Sequence, residues 1–161
     1  SQIVFEKEEL FLNTRLLIQA SNLFDIPILC TEEAPQKIGV TDPAIKEFIS
    51  DFNPISKTSF SCCGEKLFLE RLKETGRQQI IVTGIEAHVC VYQTVSDLLD
   101  KGFDIQIVSD AITSRRESNK HIALERMKAL GAAVCSTEMI ICELMQTSQH
   151  EKFKEIMSLI K

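Results

Sequence analysis

The segment IVTGIEAHVC, residues 81–90, combines an apolar run that ends at Gly84 with a cysteine six residues later. The run starts within QQIIVTG, and its β-branched residues between polar and glycine boundaries predict a buried strand. Residues 88–101 have the pattern of a helix that ends at Gly102. Cys90 therefore lies where a strand gives way to a helix. It is either a small core residue or a thiol delivered to a strand end for chemistry.

Strand-like and helical segments alternate on both sides of this stretch. Strands are predicted in DIPILCTE, ISKTSFS, QQIIVTG, FDIQIVSDA and AAVCST. Helices are predicted over residues 7–24, from Pro43 to near Asp51, in GEKLFLERLKETG, over residues 88–101, in RESNKHIALERMKALG, and twice more before the C-terminus. This alternation predicts an α/β fold with βαβ units, a mainly parallel sheet and right-handed crossovers. Ligands in such folds bind beyond the carboxyl ends of strands, here residues 31–33, 56–60 and 84–90.

Length and composition limit the possible functions. The length of 161 residues predicts a single domain, 1–161. A composition of 44% hydrophobic and 25% charged residues is typical of a soluble globular protein. No apolar run approaches the ~20 residues of a membrane-spanning helix, and acidic residues interrupt the start of the chain. The net charge of −5, without a basic cluster, argues against a nucleic-acid partner.

The cysteines and histidines argue against disulfides and metal. Six cysteines are present without a Cys-x-x-Cys pair, and no two histidines have the spacing of metal ligands. We therefore expect free thiols in a reducing, cytoplasmic compartment, with no metal and no cofactor.

Two residues stand out chemically. The opening of a helix presents free N–H groups and a positive dipole end, so we expect this position to lower the pKa of the Cys90 thiol. Lys57 lies in the strand-like ISKTSF, although lysine is rarely buried without a partner. It either stabilises a thiolate or guards an edge strand against aggregation.

Further charged groups follow the predicted strands. Glu32, Glu33 and Glu86 could position a substrate or accept a proton, or they are solvated loop charges. A dyad of His88 with Cys90 would need a non-helical turn, because residues i and i+2 of a helix do not face each other.

At these residues the chain resembles a known superfamily. Residues 81–115, IVTGIEAHVCVYQTVSDLLDKGFDIQIVSDAITSR, resemble the nucleophile segment of the isochorismatase-like cysteine hydrolases, which include nicotinamidases and N-carbamoylsarcosine amidases. IPILCTEEAPQKIG resembles the Thr-Glu-Gln-x-Pro loop of the branch called isochorismatase domain-containing proteins. ISKTSFS resembles the strand that carries the family's lysine. The resemblance covers nearly the whole chain.

The resemblance implies a three-layer α/β/α fold with a six-stranded, doubly wound parallel sheet and a triad of aspartate, lysine and cysteine. Cys90 matches the nucleophile and Lys57 the lysine. A non-proline cis peptide is implied at Ile85–Glu86, with the amides of Glu86 and Cys90 as the oxyanion hole. We assign Glu32, Phe60 and His88 to the pocket wall.

The N-terminal region departs from the family pattern. The family's aspartate ends a first, central strand, but no apolar strand precedes SQIVFEKEELF here. We therefore predict that the domain is N-terminally incomplete, or that its N-terminus is genuinely different, and that the sheet has a central gap. A partner chain could supply the strand. Glu6, Glu8 and Glu9 could replace the aspartate, but they fall on a predicted helix.

These patterns favour a metal-free cysteine hydrolase of a small molecule, cleaving an amide or related C–N bond through a thioester. An upstream aspartate would take the thiol proton. TEEAPQKIG contains no histidine, which disfavours a zinc-dependent nicotinamidase, and Cys90 disfavours isochorismatase itself.

Two other functions stay open. One is a catalytically inactive interaction or regulatory protein on the same fold. The other is a redox sensor using Cys90 or the Cys62–Cys63 pair. A dimer or larger homo-oligomer is also expected, with the C-terminal helix FKEIMSLI either a contact or packed onto the domain's own core.

Overall fold

A computed structural model describes residues 4–160 of the chain. Within this range the strands are β1 (Thr31–Glu33), β2 (Ile55–Lys57), β3 (Gln79–Ile85), β4 (Asp104–Thr113) and β5 (Ala133–Cys135). The helices are α1 (Lys7–Leu23), α2 (Pro35–Ile38), α3 (Pro43–Lys46), α4 (Lys66–Glu74), α5 (Tyr92–Asp100), α6 (Glu117–Ala129), α7 (Thr137–Met145) and α8 (Phe153–Ile160). This order is the βαβ alternation predicted from the sequence.

All strand pairs recorded between these elements are parallel, but they form two separate sheets. One sheet pairs β1 with β2, and the other has the order β3-β4-β5. Of the predicted strand DIPILCTE, only Thr31–Glu33 forms a strand, and it pairs with β2. The fold is thus the expected α/β fold with a sheet interrupted in its middle.

A cavity of about 260 Å³ lies at this interruption. Residues 26–29 and Thr31, the first residue of β1, line one side, and residues 79–83 of β3 line the other. Apolar side chains from helices on both faces complete the lining, among them Leu17 of α1, Phe68 of α4 and Ile140 of α7. The slot between β1 and β3 therefore has a strand edge on each side and helices above and below.

The core is built around β4, which pairs on both edges. Ile107 and Val108 are fully buried and belong to different apolar clusters on opposite faces of the sheet. Ile156 of α8 is also fully buried, in a cluster with Ala20 and Ile141, so the C-terminal helix packs onto the domain's own core. No helix within residues 4–160 is long and apolar enough to cross a membrane.

Candidate active site

Three strand ends bring charged and nucleophilic side chains together. Glu33 is the last residue of β1 and Lys57 the last residue of β2, and the two are direct partners in the parallel register. Cys90 lies in the turn that follows β3. Since the carboxyl ends of parallel strands meet at one edge of a sheet, the predicted strand-end region is the place where these groups converge.

Lys57 is buried and saturated with acceptors. Only 3% of its side chain is exposed. Its Nζ donates hydrogen bonds to Glu33 Oε2, to the carbonyl of Ser59 at 3.0 Å and to the carbonyl of Phe60 at 2.9 Å. An ammonium group has three donors, and here each has a protein acceptor. Lys57 is therefore a fixed positive charge inside the domain and not an edge-strand lysine exposed to water.

The Cys90 thiol is half-buried in a π-helical turn, Ala87–Val91, that precedes α5. Burial raises the pKa of this thiol and is the largest effect; the positive charge of Lys57 lowers it, and the carboxylate of Glu33 raises it. The net direction is upward. The expectation of a lowered pKa was therefore wrong, because the thiol lies within the turn and loses more hydration than Lys57 offsets.

The backbone departs from regular strand geometry near the end of β3. The β3–β4 register shifts between Val82 and Gly84, and Gly84 has a φ of +117°, which favours glycine. The peptide bond between Ile85 and Glu86 is cis. The Glu86 carbonyl then accepts hydrogen bonds from the amides of Val89 and Val91, at 3.1 and 3.2 Å. These bonds fix the backbone that carries Cys90.

The Glu86 and His88 side chains are held on the β4 side of the turn. The Glu86 carboxylate accepts from Arg115 Nε at 2.9 Å and from the Arg115 amide at 3.2 Å. His88 Nδ1 lies 2.9 Å from Ser114 Oγ and 3.7 Å from Glu86 Oε2. His88 is thus engaged with Ser114, and it lies with Cys90 in the π-helical turn, not in the non-helical turn that a dyad with Cys90 would need.

The other two pocket candidates have different surroundings. Glu32 is buried, and its Oε1 accepts the amide of Thr41 at 2.7 Å, so this carboxylate fixes the loop after α2. Phe60 exposes 54% of its surface beside Lys57, which its own carbonyl helps to hold. Phe60 is therefore available to contact a ligand, whereas Glu32 already has a backbone partner.

Glu33 is the site residue whose role the sequence pattern left undecided between proton acceptor and solvated charge. Its side chain is 20% exposed, and its carboxylate forms an ion pair with the buried ammonium group of Lys57. The signal that could have identified it is positional. A glutamate and a lysine end consecutive strands of a βαβ unit, where parallel register places them side by side.

The remaining cysteines near the site are reduced thiols. Cys62 Sγ lies 3.4 Å from Thr31 Oγ1, and the Cys62 amide donates to Thr94 Oγ1 at 2.9 Å. Burial raises the pKa of Cys63 to about 11. Among residues 4–160, no group of three His, Cys, Asp or Glu side chains is arranged to hold a metal ion.

Comparison with known proteins gives a consistent assignment. The Isochorismatase domain family matches residues 1–139. Isochorismatase domain-containing protein 2 of Danio rerio is 35% identical over 158 residues, covering 98% of this chain and 79% of the relative.

Two solved structures are closely similar. One is described as the MAR1 ribonuclease from Caenorhabditis elegans, with a TM-score of 0.92, 38% identity, and coverage of 99% of this chain and 82% of the other. The second is YcaC from Pseudomonas aeruginosa with hexane-2,5-diol and covalent acrylamide, with a TM-score of 0.91, 26% identity, and coverage of 98% and 81%. Together with the fold and the strand-end site, these matches show that the chain belongs to the isochorismatase domain family of isochorismatase-like hydrolases.

Proposed function

We propose that this protein is a metal-free cysteine hydrolase that cleaves an amide or related C–N bond in a small molecule. The observation that carries the proposal is the buried Lys57 charge, fixed by three acceptors at the strand ends where Cys90 lies. Burying an ammonium group is costly unless it is paired. A site that holds Lys57 beside a thiol suits stabilisation of negative charge on sulfur.

The reaction has two stages. Cys90 Sγ attacks the carbonyl carbon, a C–S bond forms, and the carbonyl electrons move onto oxygen, where the amides of Glu86 and Cys90 would stabilise them. The C–N bond then breaks and the amine leaves with a proton. Water attacks the resulting thioester, which releases the carboxylic acid and restores the thiol. The thiol proton needs an acceptor, and we propose the aspartate implied by the resemblance for that role.

The covalent acrylamide in the Pseudomonas relative supports a nucleophile in this fold. Acrylamide is both a Michael acceptor for thiolates and a primary amide. It therefore combines the reactivity expected of Cys90 with the functional group that we propose for the substrate. Burial raises the pKa of the Cys90 thiol, so we propose that attack is assisted by a proton acceptor at the site.

A panel of small primary amides and N-carbamoyl compounds tests this function through ammonia release. The Cys90→Ala variant should lose turnover by at least a factor of about 10³, because the covalent route is removed. Cys142→Ala is the matched control, since Cys142 is an exposed cysteine on α7 and should leave turnover unchanged. Equal turnover in Cys90→Ala and the unmodified protein would contradict the nucleophile assignment.

A second candidate function comes from the C. elegans relative described as a ribonuclease. We favour a small-molecule substrate, because the net charge is −5 and the strand ends carry the carboxylates of Glu32, Glu33 and Glu86. Phosphodiester groups would meet like charge there. A labelled single-stranded RNA should remain intact with this protein, and cleavage that Cys90→Ala abolishes would establish the ribonuclease function instead.

An inactive interaction protein is the third candidate, and the slot between β1 and β3 favours it. Within residues 4–160 no strand pairs with either flanking edge, and exposed edges pair readily with other strands. We propose that an additional apolar strand completes the sheet at this position. The Phe5 amide donates to the Ser114 carbonyl at 3.0 Å, so Phe5 lies next to the carboxyl end of β4.

Extending the chain ahead of residue 1 with an apolar strand and a short turn tests this completion. Its unfolding free energy should rise, and a matched glycine-serine extension should leave it unchanged. Equal stability of the two extended chains would contradict completion of the sheet.

We also propose that the protein is a homo-oligomer. Ile38, the last residue of α2, and Val40, in the loop that follows, expose 68% and 71% of their surfaces and could contribute to a contact. Light scattering should give a multiple of the chain mass of 18.2 kDa. A monomer mass at micromolar concentration would contradict this proposal.

A further inference from the structure

We propose that Thr94 and Asp97, on the helix that follows Cys90, are positioning residues that hold Lys57 in place at the site. The inference rests on the proposed cysteine-hydrolase function and deepens it, because it assigns the residues that keep the lysine charge where the thiol can use it. Both residues act on Lys57 through the loop of residues 59–63, called here the Ser61 loop.

The Ser61 loop supplies two of the three acceptors of the Lys57 ammonium group. The carbonyls of Ser59 and Phe60 accept hydrogen bonds from Lys57 Nζ at 3.0 and 2.9 Å. Only 3% of the lysine side chain is exposed, so water can replace little of this binding when the loop moves. The position of the loop therefore sets the position of the Lys57 charge.

The Ser61 loop is closed on itself and should move as one unit. Ser59 Oγ donates to the Ser61 carbonyl at 2.9 Å, and the Cys63 amide donates to Ser61 Oγ at 3.2 Å. A Cβ added at Gly64 would overlap the Ser59 side chain, so the two ends of the loop are in close contact. An anchor in the middle of the loop therefore also fixes the carbonyls that bind the lysine.

Two anchors for the middle of the loop come from α5. Asp97 Oδ2 accepts a hydrogen bond from Ser61 Oγ at 2.5 Å, a distance typical of a charge-assisted bond between a hydroxyl and a carboxylate. Thr94 Oγ1 accepts the Cys62 amide at 2.9 Å. Thr94 and Ser61 expose only 5% and 9% of their surfaces, so little water competes for these bonds.

The face of α5 that holds the loop is also the face that follows Cys90. Thr94 and Asp97 lie four and seven residues after Cys90, and residues at this spacing share one face of a helix. The π-helical turn that contains Cys90 continues directly into α5. The Ser61 loop therefore joins the helical segment of the thiol to the ammonium group of Lys57.

The placement of Lys57 matters for the ionisation of Cys90. Burial raises the pKa of this thiol most, the positive charge of Lys57 lowers it, and the Glu33 carboxylate and the Cys62 thiol raise it. Displacement of Lys57 would therefore lower the thiolate fraction at a given pH. The other titratable side chains of the Cys90 turn are bonded on its β4 side: His88 to Ser114, and Glu86 to Arg115.

The pH profile of Cys90 alkylation by iodoacetamide tests the assignment, with the other five cysteines resolved by peptide mass spectrometry. In Asp97→Ala the Cys90 rate at neutral pH should fall by roughly 3–10-fold, because a displaced Lys57 stabilises the thiolate less. The rates should become equal at a pH where Cys90 is fully ionised in both proteins. Asp100→Ala is the matched control, since Asp100 is an exposed carboxylate at the end of the same helix and its removal should leave the profile unchanged.

The sign of the change separates positioning from a direct effect of charge. Loss of a carboxylate would by itself favour the thiolate and speed alkylation, whereas displacement of Lys57 slows it. Thr94→Val gives the same test without a change of charge, because it removes the acceptor of the Cys62 amide and should also slow Cys90. Thr94→Ser keeps a hydroxyl and should recover most of the rate. This pair decides the question if Asp97→Ala does not fold.

A double-mutant cycle shows whether the effect passes through Lys57. In Lys57→Met the positive charge is already absent, so adding Asp97→Ala should slow Cys90 no further. An equal slowing in both backgrounds would mean that Asp97 acts on the thiol by another route, and it would overturn the assignment.

The remaining outcomes also decide the matter. Slower Cys90 alkylation in Asp97→Ala and Thr94→Val, with equal rates at high pH, supports the assignment. Unchanged or faster alkylation in either folded variant overturns it for that residue, and so does a slowing that persists at high pH, because that slowing reflects access to the thiol. The expected profiles without hydrolysis of any small amide would refute the proposed function and leave the positioning role standing. Hydrolysis that depends on Cys90, with unchanged profiles, would do the opposite.

Discussion

Replacing Lys57 with methionine should destabilise the domain through its effect on Glu33. Methionine keeps most of the apolar stem but removes the ammonium group, so Glu33 Oε2 and the carbonyls of Ser59 and Phe60 lose their donor. Removing one partner of a buried ion pair costs about 3–5 kcal/mol. The Glu33 side chain keeps 20% exposure, so water replaces part of the loss. We expect about 3 kcal/mol, which for a domain of this size lowers Tm by roughly 6–12 °C.

A double-mutant cycle measures how much of this loss belongs to the pair. In the Glu33→Gln background no carboxylate is left without its partner, so Lys57→Met should cost about 1–2 kcal/mol less than in the unmodified chain. Urea denaturation followed by circular dichroism gives the four unfolding free energies. Equal costs of Lys57→Met in both backgrounds would refute the reasoning, because the two side chains would then be energetically independent.

Three further predictions follow from the thiols, the slot and one cap. With iodoacetamide at pH 8, the exposed Cys142 should react first. Burial raises the pKa of Cys63 and of Cys135 to about 11, so these two thiols should react roughly 10²-fold more slowly. Similar rates at all three thiols would contradict the burial argument. In hydrogen exchange, the amides of residues 28–30, beside the slot, should exchange at least about tenfold faster than those of residues 105–108 in β4. The reason is that β4 is paired on both edges, whereas the chain beside the slot has an open edge. Equal protection of the two segments would mean that the slot is closed. Ser61→Ala should cost about 1–2 kcal/mol in unfolding free energy, since Ser61 Oγ caps the Cys63 amide and donates to Asp97; an unchanged urea midpoint would contradict that role.

The fold and the location of the site could be predicted because both depend on local patterns. βαβ units are specified by apolar runs that end at glycine, such as the run that ends at Gly84, and by the helices between these runs. Ligands in such folds bind beyond the carboxyl ends of the strands, and this rule locates the site. The separation into two sheets also follows from local information. No segment of the described chain is left over to pair with the open edge of β3.

The pairing of Glu33 and the pKa of Cys90 depend on three-dimensional contacts. From the sequence, Glu33 resembles its neighbour Glu32, yet one carboxylate meets a buried ammonium and the other a loop amide. The register of two strands decides this difference, and local composition does not encode register. The direction of the thiol's pKa shift likewise depends on burial, which outweighs the nearby positive charge.

The most direct test of the account is to trap the covalent intermediate. The protein is mixed with p-nitrophenyl acetate, quenched in acid within the first turnover and digested for peptide mass spectrometry. The account predicts an acetyl group on Cys90 that is lost on further incubation, and no acetylation at this position in Cys90→Ala. Acetylation confined to exposed thiols such as Cys142, or an acetyl group on Cys90 that water never removes, would contradict a cysteine hydrolase.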